Sequence, residues 1–297
     1  MAFRPPRLVP VLEGAAIILV LLALAGAGIA MLLETPAVTL SSFFLGLWAF
    51  LLLLLAGIIA WRTYSCWALR YHLTRDALTI QSGYRKVVVP VGEIRGLESG
   101  GGKRIRWVRG VHWYAYHVAS GMVEGLGRTG FYATHLSPRN LVYVVAKGGC
   151  YGISLDNPQR FARSLETCQR LGPVSHQEAR VEESLLVRLP LWRDPWVVAL
   201  FLSGLVVNLA LFAYLSSRYP SIPSFLSLHF GPSGQVDRVG MKLEIFKLPG
   251  IAMVVLGGNG LAGLLLHLKE RYMALLVLAI ALMVELLFWV AALQIIN

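Results

Sequence analysis

Three groups of residues in this 297-residue chain carry types and spacings that could do chemistry. The first is the stretch "HFGPSGQVDRVGMK", residues 229–242. There His229 and Asp237 flank a turn signal made of Gly231, Pro232, Ser233 and Gly234. An imidazole and a carboxylate brought together can bind a cation, sense pH or grip a partner. They can equally form a hydrogen bond that only pins the loop. Two ligands are too few for a metal site, so no metal is expected. The second group is Asn208, Asn259 and Glu285, each inside a long apolar run. Glu285 lies 13 residues into its run, roughly 20 Å at 1.5 Å per residue. An ionisable group at that depth is costly and is a functional candidate by default. Gly257, Gly258, Gly260 and Gly263 would let helices approach closely, so that the three polar residues meet inside a bundle. The result is either a proton or ion site or polar glue between helices. The third group is "GGGKRIRWVRGVHWY", where Lys103, Arg104, Arg106 and Arg109 interleave with Trp107 and Trp113. Such a run can rest on anionic headgroups or a partner, or be a solvated loop. Nucleic acid is not the expected partner. No nucleophile–base constellation, phosphate loop or metal-ligand spacing appears, so neither an enzyme nor a cofactor is expected.

The elements that position these groups follow from composition. Hydrophobic residues make up 56% of the chain and charged residues 14%, against about 25% charged in soluble domains. Charge is missing from the windows 15–33, 36–61, 195–217 and 248–268, and 272–296 holds one charge, Glu285. About 20 apolar residues cross a ~30 Å hydrocarbon core, so five membrane helices are expected. The first window is too long for a signal peptide and a second span follows it at once. Of 27 Lys and Arg, 19 lie between Arg62 and Arg193, against 9 Asp and Glu. Basic residues stay on the cytoplasmic side. That places the amino terminus and the 62–193 stretch inside, the loop 218–247 outside and the carboxy terminus outside. The domains expected are a transmembrane hairpin (1–62), a cytoplasmic domain (64–172), a linker (173–194) and a carboxy-terminal transmembrane domain (195–297). Cys66, Cys150 and Cys168 all fall in the cytoplasmic stretch and read as reduced thiols.

The cytoplasmic stretch changes period. "RYHLTRDALTIQSG" alternates about a turn at Arg75 and Asp76, and Gly83 supplies a second turn. "KVVVPVGEIRGLES" is a further strand-rich run, and "NLVYVVAKGGCYGISLD" reads as two strands about Gly148 and Gly149. In "NPQRFARSLETCQRLG" the period becomes helical, with Phe161, Leu165, Cys168 and Leu171 on the expected apolar side. Asn157 suits the N-cap, Pro158 the first helical position and Gly172 the stop.

This order of "YHLTRDALTIQSG", "VVVPVGEIRGLES", "GLGRTGFYAT" and "YGISLDNPQRFARSL" resembles the bacterial pleckstrin-homology (PH) domains over roughly 110 residues. The resemblance implies a seven-stranded bent sheet, nearly a barrel, capped by a carboxy-terminal helix. The chain is thus expected to be an α+β membrane protein, in a bacterial plasma membrane. Eukaryotic members often hold phosphoinositides on a basic first hairpin. Here that hairpin pairs one base, Arg75, with one acid, Asp76, which departs from the pattern. The loop 218–247 resembles the extracytoplasmic motif of the SdpI-type immunity proteins at Pro223, His229, Phe230, Gly234, Asp237, Lys242 and Pro249. The leading expectation is a membrane-anchored interaction module that binds a protein partner, with anionic lipid as a further contact. The alternative is an envelope-stress or immunity-type protein whose outer loop reads a peptide or toxin. A transporter is disfavoured by the small bundle and the absence of a repeat in the span pattern.

Overall fold

The computed structural model describes the chain except residues 36, 84, 114–115, 136–139, 176, 184–193, 231–235 and 297, and omits the side chains of 111–117 and 227–239. Five helices are long and apolar enough to cross a membrane. The chain forms two compact units, 1–23 with 52–187 and 24–51 with 188–297.

The first unit is strand-rich. A short strand β1 (Ala2–Phe3) precedes helix α1 (Leu8–Glu34) and helix α2 (Leu40–Trp67). Then follow β2 (Arg70–Leu73), β3 (Ala77–Ser82), β4 (Arg85–Pro90), β5 (Ile94–Ser99) and β6 (Ile105–Trp113). After them come β7 (Tyr116–Val123), β8 (Gly127–Ala133), β9 (Leu141–Ala146), β10 (Gly149–Ser154), helix α3 (Pro158–Leu171) and β11 (Arg180–Glu183). One sheet has the order β1-β2-β3-β4-β11 and the other β5-β9-β10-β8-β7-β6. Neighbours run antiparallel except β8 and β10, which are parallel.

Two expectations change here. Nine strands, not seven, lie between Arg70 and Ser154 in the described residues, and the two sheets stay open. The extra length includes the basic run, which is the strand β6 of a long hairpin rather than a loop. It forms a ladder with β7 from Ile105 opposite Val123 to Trp113 opposite Tyr116, with Arg106 as an additional residue in β6. The stretch expected as linker also contributes an edge strand, because β11 pairs with β4 through Val181 opposite Val87.

The core lies where the two sheets and α3 meet. Tyr71, Leu78, Ile80, Val87 and Val89 alternate inward from the first sheet, and Val142, Val144 and Ile153 from the second. Each large side chain so buried contributes about 1.5–3 kcal/mol. The buried Tyr71 hydroxyl donates to the Tyr132 carbonyl at 2.7 Å and accepts from the Ser154 amide at 3.3 Å, which ties the two sheets. Asn157 caps α3 by accepting from the Arg160 amide at 2.9 Å, and Gly172 stops it at φ 69°. Phe161, Leu165 and Cys168 are buried as expected, but Leu171 is 58% exposed. At 100° per residue Leu171 sits about 80° round the helix from Phe161, off the buried face.

Both α1 and α2 run past their expected limits at the strand-rich end. Thr39 and Ser42 start α2 by exchanging bonds between side chains and amides, at 3.2 and 2.8 Å. At its other end α2 does not stop at Trp61, because Cys66 of its last turn is part of the core and Val11 of α1 packs against the same cluster. The amino terminus is fixed there too. The Met1 ammonium donates to the Leu73 carbonyl at 2.6 Å, and Phe3 meets Phe161 edge-on at 5.1 Å.

The second unit contains α4 (Pro195–Arg218), a hairpin of β12 (Phe225–Phe230) and β13 (Val236–Met241), a 3₁₀ turn (Lys242–Phe246), α5 (Lys247–His267) and α6 (Arg271–Ile296). Asp194 caps α4, with Pro195 at the first helical position. The glycine expectation holds at two positions: Gly260 lies against Phe201 and Gly263 against Leu278, whereas Gly257 and Gly258 have nothing within 4 Å of a built Cβ.

Candidate functional site

A groove of about 830 Å³ in the strand-rich unit lies between α3 and the adjoining ends of β5 and β9, where Leu141 and Val142 also line it. Leu97, Glu98 and Ser99 form one bank, and Pro158, Gln159 and Ala162 of α3 the other. Pro6 of the amino-terminal arm, His135 and Asp156 close one end. Burial of His135 pushes its pKa below the usual imidazole value. The groove was not foreseen from sequence, since it needs the register of β5 and the angle of α3 together.

Sheet edges decide which backbone is open to a visitor. In the five-stranded sheet the edge of β2 is filled by β1, and that of β4 by β11. In the six-stranded sheet β5 and β6 are the outer strands. On β5, the Ile94 carbonyl already accepts from Gln169 Nε2 at 2.8 Å.

The first hairpin, at Arg75 and Asp76, is committed within the chain. Arg75 donates to the Leu171 carbonyl at 2.9 Å. Asp76 accepts from the amides of Val174 and Ser175 at 2.6 and 2.9 Å and from the Ser175 hydroxyl at 3.0 Å. These bonds, led by the Ser175 amide, hold its carboxyl below the ordinary value.

The basic run sits on and just before β6. Lys103 forms an ion pair with Glu98, and Arg106 one with Glu124 at 3.6 Å. Arg104, Arg106 and Arg109 are exposed and Trp107 is 45% exposed.

Of the intramembrane polar group, two members meet. Asn208 Nδ2 donates to Glu285 Oε2 at 2.9 Å and to the Pro249 carbonyl at 3.0 Å. Both side chains are buried. Asn259 does not join them; its amide donates to the Val255 carbonyl of its own helix at 2.9 Å. The level expected for Asn259 assumed that the fourth span starts near the membrane surface. Instead Pro249, close to the start of α5, is level with Asn208, and Asn259 lies ten residues on, about 15 Å further along.

A second polar cluster in this unit was missed. Asp194 accepts from Arg271 Nε at 2.6 Å and contacts His267 Nε2 at 3.2 Å. The Arg271 guanidinium holds the Asp194 carboxyl far below the usual range. The sequence signal was present: Asp194 before Pro195 is a helix start, and Arg271 opens the last span.

The loop 218–247 contains a hairpin of β12 and β13. His229 stands opposite Arg238, and Phe230 opposite Val236, so Asp237 is the additional residue of a bulge. The register therefore gives His229 a cross-strand neighbour other than Asp237. Gly234 lies outside the described residues, and so do the side chains of His229, Phe230 and Asp237. Pro223 is exposed, and Lys242 Nζ sits 4.6 Å over the Tyr219 ring. Among the described residues no group of three His, Cys, Asp or Glu could hold a metal ion. Cys66, Cys150 and Cys168 are free and buried.

No curated protein and no solved structure matches the chain. Residues 69–169 match the family model of a bacterial PH domain, a class of generally non-enzymatic modules for protein or lipid interaction.

Proposed function

We propose that this chain is a membrane-anchored interaction module, in which the PH-like domain takes an extended segment of a protein partner along β5, in the groove beside α3. The observation that carries this reading is the distribution of sheet edges. Flanking segments of the chain occupy both edges of the five-stranded sheet, whereas β5 borders a groove of about 830 Å³. Strand addition supplies affinity through main-chain hydrogen bonds and specificity through side-chain pockets. In this reading Leu97 and Ala162 provide apolar contact and Glu98 and Gln159 polar contact.

The anchoring matters to this function. Cys66 of α2 and Val11 of α1 pack into the domain core, so the domain is a rigid extension of the helix ends. A partner that binds it is held at the membrane in a fixed orientation, which suits the ordering of a complex. The distribution of Lys and Arg supports a cytoplasmic domain, with loop 218–247 outside.

The test is photocrosslinking in native membranes from p-benzoylphenylalanine placed at Glu98 and, separately, at Gln159. Strand addition predicts that both positions capture one short segment of the same partner. Capture of unrelated segments, or of nothing beyond the background seen from Lys147, would end this reading.

A further inference from the structure

We propose that Asn208 and Glu285 form an intramembrane proton-binding site, in which one proton on Glu285 Oε1 is held between the two side chains. The site lies within the second unit, and the inference does not rest on the partner reading.

The starting point is a pair of orphaned atoms. Asn208 Nδ2 donates to Glu285 Oε2 and to the Pro249 carbonyl, which leaves Asn208 Oδ1 and Glu285 Oε1 over. Both are buried and have no hydrogen-bond partner among the described residues. Turning the amide round does not relieve them. Its nitrogen faces a carbonyl and a carboxyl oxygen, so exchanging it for Oδ1 would set acceptor against acceptor in both contacts. Two buried acceptors on one bonded pair call for a donor. A protonated carboxyl supplies it, because its O–H donates and the amide oxygen accepts. One proton thus satisfies both atoms, and the two side chains exchange a hydrogen bond in each direction.

The surroundings favour the neutral acid. α4 carries no Asp, Glu, Lys, Arg or His between Pro195 and Ser217, and α5 none between Leu248 and Leu266. Beyond Arg271, α6 carries Glu285 alone. The cations of these helices lie at their ends and are engaged there. Arg271 and His267 contact Asp194, Lys247 pairs with Glu244 at 2.6 Å, and Arg218 lies over the Tyr214 ring at 5.9 Å. Towards the β12–β13 hairpin the bundle is closed by Leu211, Leu215, Leu226, Ile245 and Ala292. Leu256, Leu278 and Ala281 are buried elsewhere in the same three helices. An isolated carboxylate is costly in such a place, and taking up a proton removes that cost. A hard metal cation takes about six oxygen ligands, more than this pair offers, whereas a proton needs one donor and one acceptor.

The proton also bears on helix contact. Trp289 Nε1, one turn beyond Glu285, donates to the carbonyl of Val207, next to Asn208, at 3.0 Å. α4 and α6 are therefore joined at two neighbouring levels. The proton decides whether the Asn208 level holds two hydrogen bonds or a carboxylate with one donor. Its loss to water at the membrane surface leaves a negative charge between α4 and α6.

The experiment is infrared difference spectroscopy of the full chain in liposomes at neutral pH. Subtracting Glu285→Gln, which keeps the size of the side chain, should reveal the C=O stretch of one protonated carboxyl, lowered in heavy water. Isotope-labelled glutamate should move the same band in the unmodified chain, a check that needs no variant to fold. Asn208→Leu should shift the band to higher frequency, because the bond to Asn208 is lost. Replacing sodium by N-methylglucamine should leave it unchanged. A spectrum with carboxylate bands only, a carboxyl band that Asn208→Leu leaves in place, or a carboxyl whose state follows sodium would each overturn the proposal. The last would assign the pair to a metal cation instead.

Discussion

Replacing Asn208 by leucine removes the amide that donates to Glu285 at 2.9 Å and to the Pro249 carbonyl at 3.0 Å. Asn208 is 0% exposed and Glu285 1%, so water does not take the place of the lost donor. A buried polar group left unsatisfied costs about 1–3 kcal/mol, which is the loss expected for Asn208→Leu. Glu285→Leu leaves the Asn208 amide one partner short and falls at the lower end of that range. Glu285→Gln retains an acceptor oxygen within reach of Asn208 and should cost less than about 1 kcal/mol. The double substitution Asn208→Leu, Glu285→Leu removes both sides of the contact. It should be less harmful than the two single losses added together, by about 0.6 and at most about 1.7 kcal/mol, the range for hydrogen bonds between membrane helices. Reversible unfolding in bicelles gives these energies. Additivity within about 0.3 kcal/mol would refute the bond as an energetic link between α4 and α6. The same variants separate glue from function: if Glu285→Gln and Glu285→Leu leave assembly and activity unchanged, Glu285 has no role beyond packing.

Phe161 is fully buried and meets Phe3 at 5.1 Å, so Phe161→Ala should destabilise the strand-rich unit by about 3–5 kcal/mol. Thermal unfolding of the full chain measures it, and a loss under about 1 kcal/mol would contradict the packing. Asp76 predicts a pH effect. Its pKa is lowered in the folded chain from 3.8 by the amides of Ser175 and Val174, so its contribution is complete above the unfolded value and is lost as pH falls through the folded one. Hydrogen exchange at Val174 and Ser175, corrected for intrinsic rate, should accelerate below about pH 4. Asp76→Ala should accelerate it already at neutral pH, and unchanged exchange in that variant would contradict the assignment.

The five helices and the β-to-α order were legible because periodicity and the absence of charge are local properties. So were the caps at Asn157, Pro158 and Gly172, which depend on a few adjacent residues. The limits of α1 and α2 were not, because Val11 and Cys66 extend them through tertiary contacts with the domain core. Leu171 was misplaced by counting helical spacing without the angle to Phe161. Asn208 and Glu285 meet, whereas Asn259 bonds within its own helix, since the axial position of α5 follows from the hairpin and 3₁₀ turn that precede it. The bulge at Arg106 follows from the pairing with β7, which strict alternation does not reveal. The groove beside β5 likewise arises from residues far apart in sequence, Leu97 and Ala162 among them.

The proposed topology puts the strand-rich domain on the cytoplasmic ends of the membrane helices, and cysteine accessibility in intact cells tests that most directly. The native thiols are buried, at 2% for Cys66, 5% for Cys150 and 7% for Cys168, so they give little background. Lys147→Cys and Ser224→Cys each place a thiol at an exposed position. A maleimide that cannot cross bilayers should label position 224 in intact cells and reach position 147 only after lysis. Labelling of position 147 from outside, with position 224 protected, would contradict the account.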